Sequence, residues 1–393
     1  MSKVILAFSG GLDTSFAVPY LQDLGHEVIT VSVDTGGFNK QELKAIKARS
    51  ASLGAIKHYQ VDGRKSMYDS IVSYIIKANG IYENSYPNMC SDRYIIAEET
   101  VKIAKKENAS AIAHGSSAMG NDQVRFDVAL MGLNPAIKII TPTRDTGGDR
   151  KKQEDFLASK GFATDSRHKK YSVNQNILGI TYSGSEIDDL KEPDESMFQW
   201  TKPTREKPTY ATIDFEHGVP TKLDGKKLDG ADILIKLNSI LGSYGYGRGF
   251  YTGDCVVGIK GHIVFEAPGI LGLIQAHVAL EQLVHTKTQY YLGKRINEEF
   301  SELLYNGRFY DPAVNDIKAF IDSQQQRVTG RVKLKIVPGQ IQPVEISSPN
   351  SLINSKIASY AQNSSWTPED AVGFIKLYGM QCKIASLRNE SKK

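Results

Sequence analysis

The chain has 393 residues, 40% hydrophobic and 23% charged, with 48 Lys and Arg against 44 Asp and Glu, a formal net charge of +4. That length is enough for two domains, and the composition is that of an ordinary globular protein. The basic runs are as short as Arg150-Lys151-Lys152 and His168-Lys169-Lys170. They read as solvated surface rather than the clustered basic face of a nucleic-acid binder, so no nucleic-acid partner is expected. Cys90, Cys255 and Cys382 are far apart and form no C-x-x-C pair. This argues against a zinc ribbon, a disulfide framework or a redox dithiol, and fits a reducing cytosol. The N-terminal apolar run stops after five residues, too early for a signal-peptide core, and no stretch approaches a membrane span. A cytoplasmic protein with no membrane partner is expected.

Taken in order, residues 4–8 read as a buried strand, followed at once by Ser9-Gly10-Gly11-Leu12-Asp13-Thr14-Ser15 and a helix from Thr14 towards Leu24. Pro19 lies inside that helix and is expected to kink it or to confine regular bonding to one side. Residues 28–33 form a second strand, 41–53 a second helix ended by Gly54, and 56–61 a third strand. Strand, helix, strand, helix, strand predicts a parallel sheet wound with right-handed crossovers. Helical patterns follow over 66–78 and 92–107, then strands over 110–113 and 136–140 and a charged helix over 149–159. Residues 161–210 read as loop. Beyond them come hairpins over 211–223, 254–266 and 331–347, interleaved with helices over 230–241, 270–286 and 290–305. The expected fold class is therefore α/β with a parallel-sheet nucleotide-binding domain over residues 1–165, an α+β domain over 166–365, and a helical tail over 366–393. A helix over 367–378 would reach a neighbouring subunit or pack on its own domain, and both readings stand.

The chemistry begins at the first turn. Glycines let backbone approach a ligand closely, and the free N–H groups of a helix N-terminus attract anions, so the expected ligand is a phosphate. No Lys follows the glycines, unlike a Walker A loop. Charge neutralisation would then come from N–H groups, from the hydroxyls of Ser9, Thr14 and Ser15, and from a metal ion held by the phosphates rather than by a protein ligand set. A bare Gly-Gly turn is equally compatible with a purely structural role. The full seven-residue string resembles the pyrophosphate loop of the ATP pyrophosphatase group, whose members split ATP between the α- and β-phosphates.

A second constellation is Gly120-Asn121-Asp122-Gln123-Val124-Arg125-Phe126. Asn121, Asp122 and Arg125 fall around the first turn of a helix. There Asp122 can pair with an ammonium and Arg125 with a carboxylate, or Asn121 or Asp122 can simply cap the helix beside an exposed Arg. Together with residues 9–15, 82–91, 114–126 and 172–182 and Gly247-Arg248-Gly249, this string is similar to the argininosuccinate synthase family over nearly the whole chain. The resemblance implies ATP-dependent ligation of citrulline and aspartate through a citrullyl adenylate, releasing AMP and pyrophosphate, with ATP and phosphate-bound Mg2+ as cofactors and a homotetrameric assembly.

Position by position, the resemblance implies that Ala7, Phe8, Ser9, Gly10, Gly11, Leu12, Asp13, Thr14, Ser15, Val33, His114 and Gly115 contact ATP. Ser117, which stands where many members have Thr, is matched with Asn121 and Asp122 to the aspartate site. Tyr86, Ser91, Asn121, Arg125, Ser172 and Thr181 match the citrulline site, Thr181 standing where Ser is usual. Asp13 and Asp122 are the candidate catalytic residues, Asp122 as proton acceptor for the aspartate amine if it lies within about 3 Å of the nitrogen. From the residues alone, Tyr86 also fits core packing, Ser172 and Thr181 fit surface loop, and His114 fits a packed strand end.

Two departures from the family pattern bear on the acceptor. Gly253 stands where the pattern places a Glu, and Phe265 where it places a Tyr. The missing carboxylate would normally hold an ammonium through a bond worth about 1.5–3 kcal/mol. Either Asp254 replaces it or the acceptor is an N-acylated citrulline or other ureido acid without a free ammonium. A tRNA-modifying pyrophosphatase and a non-catalytic amino-acid-binding relative are the readings from other classes.

Overall fold

The computed structural model describes residues 2–163, 170–357 and 365–390. The boundary expected near residue 165 lies outside the described residues. The chain up to Asn350 forms one compact unit and the part from Ser351 a second.

The first unit opens with β1 (Ser2–Ala7), α1 (Leu12–Asp23), β2 (His26–Asp34), α2 (Lys40–Ser52) and β3 (Lys57–Asp62). Next come α3 (Arg64–Met67), a π-helical turn (Tyr68–Val72), α4 (Ser73–Lys77) and α5 (Asp92–Glu107). β4 (Ala111–Ala113), α6 (Asp122–Leu133), β5 (Lys138–Ile140), α7 (Pro142–Asp145) and α8 (Arg150–Ser159) complete the α/β part. The five strands are parallel in the order β3-β2-β1-β4-β5. Alternate residues of β1 serve opposite faces: Val4 and Leu6 pack with Phe16, Val18 and Leu21 of α1, while Ile5 joins Ile95 and Val101 of α5. Burial on both faces is what a continuous apolar strand in a parallel sheet requires. The strand order reverses between β1 and β4, the place where open α/β sheets gather ligands. The helix α1 runs on through Pro19 to Asp23.

Residues expected to be loop instead contain a hairpin of β6 (Ser172–Asn176) and β7 (Gly179–Ser183). β6 is polar and mostly exposed along its length, so its sequence lacks the apolar alternation that marks a strand. Pairing with β7, not propensity, makes it one. Then follow β8 (Thr209–Glu216), β9 (Val219–Leu223), β10 (Lys226–Lys227), α9 (Gly230–Gly242), β11 (Arg248–Asp254) and β12 (Lys260–Glu266). The unit ends with α10 (Pro268–Val284), α11 (Lys287–Tyr305), the unanticipated α12 (Pro312–Gln325), β13 (Gly330–Val337) and β14 (Gln340–Ser347). These strands build two antiparallel sheets, β10-β9-β8-β13-β14 and β11-β12-β7-β6. The second unit contains α13 (Pro368–Tyr378), opened by a capping box at Thr367, and α14 (Met380–Glu390). Among the described residues, no helix is long and apolar enough to cross a membrane.

The four-stranded sheet has two unlike faces. On one, Ile180, Tyr182 and Val264 pack with Ile187, Met197 and Phe198. Glu266 is buried there at 0% exposure. Its carboxylate accepts from Tyr182 Oη at 2.5 Å, from the backbone N–H groups of Gln199, Trp200 and Thr201 at 2.6–2.8 Å, and from Thr201 Oγ1 at 2.6 Å. Removing that acceptor strands three backbone donors in the interior. Glu266→Ala is therefore expected to cost about 3 kcal/mol or more and Tyr182→Phe about 1 kcal/mol in chemical denaturation. Equal losses for the two variants would contradict this account.

Candidate active site

The end of β1 leads directly into α1. Phe8 N–H donates to Val31 O at 2.8 Å, and Ser32 Oγ donates to Phe8 O at 2.6 Å, fixing the exit of β1 beside β2 and Val33. Gly10 has φ of 78°, a left-handed conformation that suits glycine. Gly11 is the N-cap of α1, and no side chain caps the first turn. Its N–H groups are thus left for an anion. Ser9 Oγ and Thr14 Oγ1 lie 3.3 Å apart across the turn, and Ser15 Oγ donates to Gly10 O at 3.4 Å. Asp13 is exposed, with Oδ1 accepting from Gln153 Nε2 at 3.1 Å and from Thr143 Oγ1 at 3.5 Å. The strand β4, next to β1, leads directly into His114 and Gly115. A Cβ on Gly115 would sit 2.9 Å from Thr14 Cγ2 and 3.3 Å from Thr14 N, so only glycine allows this approach to the α1 N-terminus. His114 is buried, stacked on Phe126 and bonded through Nε2 to Asp127 Oδ1 at 2.7 Å. That is a packed strand end.

The N-termini of α5 and α6 form a cluster of charges. Asp122 Oδ1 accepts from Arg125 Nη1 at 2.9 Å, and Oδ2 accepts from Arg93 Nε and Nη2 at 2.9 and 2.8 Å. Arg93 Nη1 also donates to both oxygens of buried Asp92 at 2.8 Å, and its Nη2 to Asn174 Oδ1 on β6 at 2.9 Å. Arg125 is only 3% exposed, donates through Nε to Tyr305 O at 2.9 Å and lies 4.8 Å from the Tyr305 ring centroid. Asp122 and Arg125 are thus bonded to each other, and the guanidinium is not presented as a free fork. Asn121 Oδ1 is buried with no hydrogen-bond partner among the described residues. An unpaired buried acceptor costs about 1–3 kcal/mol, a deficit a ligand donor would remove. Ser117 lies in the loop between β4 and α6.

The remaining predicted residues ring this cluster. Ser91 is buried just ahead of α5, its Oγ donating to Asn88 O at 2.7 Å. Tyr86 is buried among the rings of Tyr251, Phe265 and Tyr305, and burial pushes its phenol well above the usual range. Thr181 pairs in register with Asn174 and Phe265, and Ser172 with Ser183. Directly opposed residues in an antiparallel pair share a face. Asn174, Thr181 and Phe265 therefore lie on one face, the face whose Asn174 reaches Arg93. Ser172 lies two residues before Asn174 on that same face. Asp254, the expected replacement for a side chain at 253, is instead exposed and paired with Lys260 at 2.6 Å.

Sequence reasoning missed Arg93, Asn174 and Gln153. Arg93 stands two residues after Ser91, and the half-buried Asp122 takes it as a second cation beside Arg125. Gln153 and Asp13 meet across 140 positions, which no local pattern signals. Among the described residues, no three His, Cys, Asp or Glu side chains converge as a metal-ligand set. Burial pushes the Asp122 carboxyl up, but Arg93 and Arg125 outweigh it and hold it below its ordinary 3.8. With a depressed folded pKa, the ion pairs contribute fully above the unfolded value and are lost only as pH falls through the lower folded one. An NMR titration should place the Asp122 midpoint below 3.8, and Arg93→Leu should move it upward. A midpoint unmoved by Arg93→Leu would contradict the pairing.

Models described as Arginosuccinate synthase N-terminal HUP domain and Arginosuccinate synthase C-terminal domain match residues 3–163 and 171–385. The chain is 44% identical over 388 residues to a protein of Xanthomonas campestris pv. campestris named argininosuccinate synthase, covering 97% of each chain. A namesake from Xylella fastidiosa is 42% identical over 396 residues, covering 99% of this chain and 98% of its own. A third, from Pyrococcus furiosus, is 38% identical over 389 residues, covering 98% and 94%. On sequence matched from end to end, together with a parallel sheet whose reversal point holds an uncapped helix beside a charged turn, the chain belongs to the argininosuccinate synthase family.

Proposed function

We propose that the chain joins citrulline and aspartate at the expense of ATP, in two displacements at one site. The observation that carries this reading is the adjacency of the uncapped α1 N-terminus and the Asn121–Arg125 turn, which follow neighbouring strands β1 and β4. In the first displacement the ureido oxygen of citrulline attacks the α-phosphorus, the bond to the β-phosphate oxygen breaks, and pyrophosphate leaves towards the α1 N–H groups. In the second the aspartate amine, having lost a proton, attacks the activated carbon and AMP departs. Donors fixed beforehand around the leaving charge need no reorganisation, which is why such loops lower barriers.

Ser9, Thr14 and Ser15 fit a triphosphate by their hydroxyls, and Gly10 and Gly115 by the close backbone approach they allow at the α1 N-terminus. Mg2+, when bound with the nucleotide, would neutralise phosphate charge, and exposed Asp13 is a carboxylate within the loop itself. Asn121 Oδ1, unpaired and buried, would accept from a substrate N–H. Ser172, Thr181, Tyr86 and Ser91 would line the citrulline side, and Ser117 and Asp122 the aspartate side. The change from a parallel sheet to antiparallel sheets supports a division near 165 into a nucleotide-binding part and a synthetase part. Val372, Phe374, Ile375 and Leu377 of α13 are exposed, which supports a homotetramer in which that helix meets a second copy. Cytoplasmic location belongs to the same proposal.

The buried apolar ring of Phe265 favours a second reading for the acceptor, an N-acylated citrulline. Comparison of kcat/KM for citrulline and N-acetylcitrulline separates the two, and a preference for citrulline is expected. Pyrophosphate release should require citrulline. Asp13→Ala and Arg125→Ala should each lower turnover about 100-fold or more, and Gly115→Ala should raise the KM for ATP while leaving that for citrulline in place. Conversion of ATP to ADP and inorganic phosphate would overturn the reading.

A further inference from the structure

The face of the four-stranded sheet that carries Asn174, Thr181 and Phe265 continues along β11. Phe265 opposes Gly249, Ile263 opposes Tyr251, and Gly261 opposes Gly253, so Gly249, Tyr251 and Gly253 share that face. Position 253 has no side chain, yet the space beside it is filled. A Cβ built on Gly253 would lie 2.2 Å from Glu83 Oε2 and 2.4 Å from Tyr251 Oη. Tyr251 Oη donates to Glu83 Oε2 at 3.0 Å, so a carboxylate is held where a residue at 253 would project.

Glu83 comes from a tight turn locked to both neighbours. Tyr82 N–H donates to Tyr86 O at 2.8 Å, Tyr86 N–H donates to Tyr82 O at 3.0 Å, and Ser85 Oγ donates to Phe250 O on β11 at 3.0 Å. Glu83 and Asn84 have φ of 46° and 57°. Asn tolerates the left-handed region, but Glu is uncommon there, and such residues persist where surrounding structure holds them. Three residues on, Tyr86 packs on the same Tyr251 ring that Glu83 touches. The neighbouring carboxylate Asp254 is occupied by Lys260.

We propose that Glu83 supplies, across the chain, the carboxylate that faces the α-ammonium of the acceptor in place of a side chain at position 253. This rests on the reading of the site as a citrulline ligase and deepens it: the acceptor is an amino acid with a free ammonium, recognised from the 82–86 turn. Gly253 is then the partner of Glu83, leaving the space its carboxylate occupies.

The test is steady-state kinetics on the full chain, with pyrophosphate release as readout, for wild type, Glu83→Gln and Glu83→Asp. Glu83→Gln should raise the KM for citrulline about 10-fold or more while the KM values for ATP and aspartate hold. Glu83→Asp, which keeps a carboxylate in the turn, should lose less than Glu83→Gln, and equal losses overturn the charge role of Glu83. Circular dichroism and thermal melting of each variant show that the fold is kept. An unchanged citrulline KM in Glu83→Gln, with normal turnover in wild type, overturns the role of Glu83 and leaves the reaction intact. A wild-type preference for N-acetylcitrulline also overturns it. Failure of wild type to release pyrophosphate with citrulline, aspartate and ATP overturns both.

Discussion

Asp122, held between two guanidiniums, is the interaction on which the arrangement depends. A carboxylate with about a third of its surface exposed accepts from Arg93 at the start of α5 and from Arg125 one turn into its own helix. Those two cations in turn reach Asp92, Asn174 of β6 and the carbonyl at the end of α11. One charge cluster therefore ties α5 and α6 to the polar hairpin and to the end of α11. Buried charges left unpaired are costly, and removing one partner of such a set strands the others. The cost of breaking the cluster keeps the two sides of the site together.

The second constraint is geometric. An anion site at α1 needs donors that nothing else uses, and the chain leaves them by placing glycine at the cap and at Gly115. The loop itself carries no lysine. Arg49 of α2 donates through Nε to Ser15 Oγ at 3.2 Å. A phosphate bound there would be held by N–H dipoles and close approach, with the Arg49 charge behind Ser15.

The parallel sheet, the order of its elements and the turns at residues 9–15 and 120–126 were legible because apolar runs, glycines and helix signals are local. The antiparallel hairpin of β6 and β7 was not: Ser172-Val173-Asn174-Gln175-Asn176 has the composition of a loop and becomes a strand by pairing. The charged residues of the site were read as separate jaws, whereas folding bonds them to one another, because Arg93 lies 29 positions from Asp122. Gly253 was legible as a lost side chain, but the carboxylate beside it comes from 170 positions earlier in the chain, and only the fold brings Glu83 there.

The central claim is that the acceptor's own oxygen displaces pyrophosphate at the nucleotide held by α1. The direct measurement is isotope transfer: citrulline labelled with 18O in the ureido group, turned over with ATP and aspartate, and the AMP analysed by mass spectrometry. The account predicts one 18O in the phosphate of AMP for each turnover. AMP free of label, or label retained in the amino-acid product, would contradict it.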